Sequence, residues 1–143
     1  MKSSGSFVII AAVTFLVLPC LLVVHAQQDA PKRNIITKQD LTGFAGHEGV
    51  VALVEFAPGA QEPKHTHPGD VFGYVQEGTL KLHVEGRPDT TVKQGEVFFV
   101  PAGKVHWAVN EGTTPVKTVA TFVVEKGKPL ASPAPMTDDR IRP

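Results

Sequence analysis

Between Thr37 and Glu125 every apolar stretch of this chain is cut by glycine and proline before it outgrows a strand. Residues 49–57 are rich in valine and break at Pro58-Gly59. Leu80, Leu82 and Val84 alternate with Lys81, His83 and Glu85 ahead of Gly86-Arg87-Pro88, and residues 97–100 stop at Pro101-Ala102-Gly103. Residues 116–124 form a β-branched run with little turn chemistry. Proline removes a backbone donor and clashes inside a helix, and glycine weakens one entropically. With 11 glycines and six prolines in this stretch, a helical bundle is excluded. Period-two alternation between regularly spaced turns predicts an all-β sandwich or barrel.

The two ends read differently from this middle. An uncharged apolar run from Phe7 to Val24 follows Lys2 and closes on Val24-His25-Ala26, so residues 1–26 read as a cleaved signal peptide. An uncleaved anchor is the alternative, because the run is close to the shortest that spans a bilayer. Cleavage predicts a secreted or periplasmic protein that leaves the membrane and begins at Gln27. It also removes Cys20, the only cysteine, so any metal must be held by nitrogen and oxygen. Residues up to Thr37 read as a polar lead-in, 38–125 as one barrel domain, and 126–143 as a Pro-rich tail, extended or disordered. Acidic and basic residues balance, 14 against 14, which points away from nucleic acid and anionic membranes.

The chemistry-bearing residues fall in two segments. His65-Thr66-His67 places two imidazoles on one side of an extended chain, since residues two apart share a face. His106 follows the turn made by Pro101 and Gly103. His47, in a Gly-flanked loop, and His83, on a strand face with Lys81 and Glu85, read as solvent-exposed. Asn110 reads as a turn-fixing residue. Phe56, Phe72, Tyr74, Phe98, Phe99, Trp107 and Phe122 read as core or barrel lining.

Together the segments resemble the paired motifs of the cupin superfamily, and in particular its small single-domain, quercetinase-like members. Gly59, His65, His67 and Gly78 fall into the first motif, G-x5-H-x-H-x(3,4)-E-x6-G. Gly95, Pro101, Gly103, His106 and Asn110 match the second, G-x5-P-x-G-x2-H-x3-N, at every fixed position. The resemblance implies a double-stranded β-helix, or jelly-roll barrel, in which His65, His67 and His106 bind one divalent metal ion, and it makes a homodimer plausible. Counting back from Gly78 puts Val71 where the family has its acidic ligand. Asp70 is the candidate extra ligand, provided that Pro68-Gly69 introduces a bulge that re-aims it.

Three-histidine sites occur in the superfamily among thiol dioxygenases and diketone-cleaving enzymes, so the resemblance implies a metal-dependent dioxygenase-like oxidoreductase. Fe(II) is the first candidate metal, with Ni, Cu and Zn sharing the same donor preference and Mn a further candidate. Glu62, just before the histidine pair, is the candidate general base. The alternative is a cupin that binds a small molecule or metal without turning it over. A sugar isomerase or epimerase ranks third, for want of titratable groups.

Overall fold

Two long strands of unbroken alternation set the architecture: β2 (His47–Phe56) and β9 (Val116–Glu125) bury every second residue. They pair antiparallel in a register that sets Val50 against Phe122, Ala52 against Ala120 and Phe56 against Val116. Inward side chains therefore oppose inward side chains along the whole ladder, and each fully buried Val, Leu or Phe contributes about 1.5–3 kcal/mol.

The computed structural model describes residues 29–135. The leader read at 1–26 and the chain end 136–143 lie outside the described residues. The other strands are β1 (Lys32–Asp40), β3 (His65–Thr66), β4 (Gly69–Glu77), β5 (Thr79–Val84), β6 (Thr90–Lys93), β7 (Val97–Val100), β8 (His106–Val109) and β10 (Ser132–Pro133). They form two five-stranded sheets, ordered β1-β2-β9-β4-β7 and β10-β3-β8-β5-β6, every pairing antiparallel. This is the double-stranded β-helix that the motifs imply. No helix among the described residues is long and apolar enough to cross a membrane.

The core lies between the sheets, with Val71 and Val75 of β4 facing Leu80 and Leu82 of β5 within one apolar cluster. The chain steps from the first sheet to the second at Gly78, whose φ of 82° suits glycine alone. Gly73 is demanded by contact: it pairs with Phe98 of β7, and a Cβ there would stand 1.9 Å from the Phe98 ring. Asn110, fully buried, shares its Nδ2 hydrogens among the carbonyls of Phe56, Ala57 and Thr114 and accepts from Gly112 N, tying the ends of β2 and β8 to the loop before β9.

Three expectations change. The segment read as a lead-in carries β1, a strand from Lys32 exposed along its whole length; with no buried face, it has no alternation to detect. The segment read as a tail beyond the barrel domain contributes a strand to it: Ser132–Pro133 pairs with β3 despite its prolines, because an edge position asks for few donors. Phe72, Tyr74 and Phe99 stand outside the barrel, since β4 turns Val71, Gly73 and Val75 inward. Phe56, Phe98 and Phe122 do line the interior.

Replacing Asn110 with Ala removes the donor for three carbonyls at once and should lower stability by about 2–4 kcal/mol in urea denaturation. Asn110→Asp, which sets a carboxylate against the same oxygens, should be at least as damaging at neutral pH. A loss under about 1 kcal/mol in both would show that water replaces the side chain.

Candidate metal centre

Strand pairing brings the three histidines together. His65 on β3 lies directly opposite His106 on β8, and His67 follows two residues after His65. Ring centroids are 4.2 Å apart for His65 and His106, 4.8 Å for His65 and His67, and 4.9 Å for His67 and His106. One ring nitrogen from each lies within 4.8 Å of the others, and all three residues are buried.

Each ring is oriented from behind. Nδ1 of His65 lies 2.7 Å from Pro63 O, that of His106 3.0 Å from Lys104 O, and that of His67 2.6 Å from Leu130 O. A carbonyl only accepts, so each Nδ1 carries the proton and each Nε2 keeps its lone pair free. Nε2 of His65 is buried without a protein partner, as an atom reserved for something else would be. Burial pushes His67 down to about 3 and His106 down to about 4. The carbonyl bonds oppose this shift, and the neighbouring histidines and Arg33 reinforce it. Both are neutral at pH 7, the state a metal requires.

The rings face a cavity of about 30 Å³ whose walls include Val71, Phe98, Val100 and Phe122. That is room for a single water or ion. Val71 thus stands inside the centre, as the motif register requires, while Asp70 does not. The Asp70 carboxylate accepts from Ala102 N at 2.9 Å and fixes the turn of the second motif, because regular alternation survives Pro68-Gly69. His47 and His83 lie outside the cluster, though neither is free in solvent. His47 packs on Phe44 at 3.9 Å, and His83 stacks on Trp107 at 4.6 Å while bonding Asp89.

Two features escaped the sequence. Arg33 on β1 reaches Glu62 Oε1 at 3.1 Å, and this pair, with His65, lines both the inner cavity and an outer one of about 310 Å³ that adds Lys64 and residues 131–133. Burial raises the Glu62 pKa above the usual carboxylate range, against the opposing electrostatic influence of His65 and Arg33. The second is the Leu130 carbonyl. Two histidines are anchored by residues two positions back, but His67 depends on a group 63 positions ahead, on a segment held by β10 and by Ala134 N bonding Lys64 O. A backbone acceptor has no sequence signature.

A cupin domain profile matches residues 52–124. Among curated relatives, germin-like protein 1-1 of Oryza sativa subsp. japonica is 35% identical over 100 residues, covering 64% of this chain and 46% of its own. Oxalate oxidase 2 of Hordeum vulgare is 32% identical over 103 residues, covering 64% and 46%. The chain therefore spans about half the length of the curated relatives it matches. A double-stranded β-helix protein from Klebsiella pneumoniae superposes with a TM-score of 0.60 at 23% identity, covering 74% of this chain and 88% of that one. An oxalate oxidase in complex with the substrate analogue glycolate superposes at 0.53 and 27%, covering 67% and 53%.

His67 and His106 are neutral in the fold well below the pH at which they protonate in the unfolded chain. Metal-free protein should accordingly lose stability as pH falls from about 6.5 towards 4. Melting temperatures across that range check it, and the dependence should shrink in His67→Asn. Truncation after Lys128 should release Nδ1 of His67, so that side-chain ¹⁵N NMR shows mixed tautomers for His67 and one tautomer for His106. An unchanged His67 would mean that water takes over from Leu130.

Proposed function

The chain belongs to the cupin domain family, and we propose that it is a metal-dependent oxidoreductase acting on a small organic molecule at a three-histidine centre. The observation that carries this reading is the convergence of three imidazoles, each with Nδ1 bonded to a backbone carbonyl and Nε2 left for the one small cavity they line. His65, His67 and His106 would hold the ion, which when bound supplies Lewis acidity and a template for an oxygen-bearing ligand. Imidazole donors favour Fe, Ni, Cu or Zn over Ca, Mg and Mn, which prefer oxygen. Fe(II) is our first candidate, and dioxygen-dependent cleavage, as in a dioxygenase, is the finer activity we propose.

The chain's own residues then have distinct tasks. Pro63, Lys104 and Leu130 fix the rings through their carbonyls. Val71, Phe98 and Phe122 keep bulk water from the inner cavity. Ligand would enter through the outer cavity, where Arg33 and Lys64 favour an anionic or oxygen-rich group. The named activity of the oxalate oxidase relatives supports a small oxygen-rich substrate. Export to the cell surface or periplasm is proposed from the apolar run of residues 7–24 alone.

A second reading, a binding module without turnover, is favoured by the size of the inner cavity, which leaves no space for substrate beside an ion. Elemental analysis of protein purified from its native compartment should find about one transition-metal ion per chain, lost in His106→Ala and kept in His47→Ala. Oxygen uptake with small carboxylate, enol and diketone compounds then separates the readings: bound metal without uptake supports the binding module. Equal metal in His106→Ala would remove the centre altogether.

A further inference from the structure

We propose that Glu62 is the anionic ligand of the centre, taking the part that Val71 cannot play, and that Arg33 holds its carboxylate aside until an ion arrives. This rests on the three-histidine reading above. A divalent ion among three neutral imidazoles keeps its full charge inside an apolar cavity, and such a charge is costly unless a counter-charge comes with it. Among the described residues, Glu62 is the one carboxylate that lines this cavity. It is 9% exposed.

Its backbone is fixed close to the ligands. Gln61 bridges Val109, and Glu62 N donates to Ala108 O at 2.9 Å, so Glu62 runs beside β8 two residues beyond His106. Three residues later the same segment delivers His65. Only the side chain is committed elsewhere, through Oε1 on the Arg33 guanidinium at 3.1 Å.

That partner is the more exposed of the two. The Arg33 side chain is 30% exposed against 11% for Glu62, and it comes from the edge strand β1. Both residues border the inner and the outer cavity, so Arg33 can turn to the outer one and stay hydrated while Glu62, the more buried, turns to the inner one. A dipositive ion competing with a monopositive guanidinium for one buried carboxylate has the stronger field. Glu62 therefore works as the family's acidic ligand delivered from the other side of the histidine pair. The cost is an ion pair that must open before the ion is fully coordinated.

Metal-free full-length protein titrated with Co²⁺ alone tests this, with affinity and the visible spectrum as readouts. Glu62→Gln, nearly isosteric, should bind at least tenfold more weakly and shift the Co²⁺ bands, because the donor set changes. Arg33→Ala should bind several-fold more tightly, and this gain should vanish in the Glu62→Gln background. Should Arg33→Ala prove too unstable without metal, the rise in melting temperature at saturating Co²⁺ should still exceed that of the unsubstituted protein. Unchanged affinity and bands in Glu62→Gln would overturn the proposal, as would an equal gain from Arg33→Ala in both backgrounds, which marks a distant charge. His106→Ala distinguishes the two levels: full affinity there removes the centre itself, whereas its loss beside an unaffected Glu62→Gln removes only the role of Glu62.

Discussion

The pairing of β2 with β9 governs what the rest of the molecule can do. Each strand is ten residues long, and their register leaves no inward position without an inward partner. β4 then adds to the other edge of β9 and sets Val71 across from Phe122. Phe122 meets the His67 ring edge-on at 4.9 Å. A one-residue slip between β2 and β9 would turn Phe122, Ala120 and Thr118 to solvent and remove the floor on which the histidines rest. The centre is therefore a property of the sheet register as much as of the residues that face it.

Much of this was legible because it is periodic or local. Alternation over 49–57 and 80–84 marked the strands, and Pro58-Gly59, Gly86 and Pro101-Ala102-Gly103 marked the turns. Two residues on one face explain His65 with His67, and the fixed spacing of two motifs placed His106 and, by default, Val71. Legibility failed where the cause is not periodic. β1 is a strand because β2 offers it an open edge, and its own side chains carry no trace of that. The aromatics Phe72 and Tyr74 of β4 face outward because Val71, Gly73 and Val75 take the inward positions, and aromatic size alone does not reveal that parity.

The chemistry of the centre follows from what stands behind the rings. Three carbonyls choose one tautomer for three imidazoles, and burial prevents a second proton from binding to His67 and His106 at neutral pH. The cavity adds little besides exclusion, its walls being mostly aliphatic and aromatic. Polar control is concentrated at the boundary between the two cavities, where Arg33, Glu62 and His65 meet. Geometry sits in the core, and charge sits at the door.

The dependence of His67 on Leu130 also has a meaning in time. Translation runs from the amino end, so both histidine segments and every strand between them leave the ribosome before Leu130 does. Until that carbonyl arrives, one of the three rings has no fixed tautomer, and the site cannot select an ion by geometry. Completion thus waits for the last part of the domain to be made. Any ion that needs all three rings oriented is therefore met only by the finished domain.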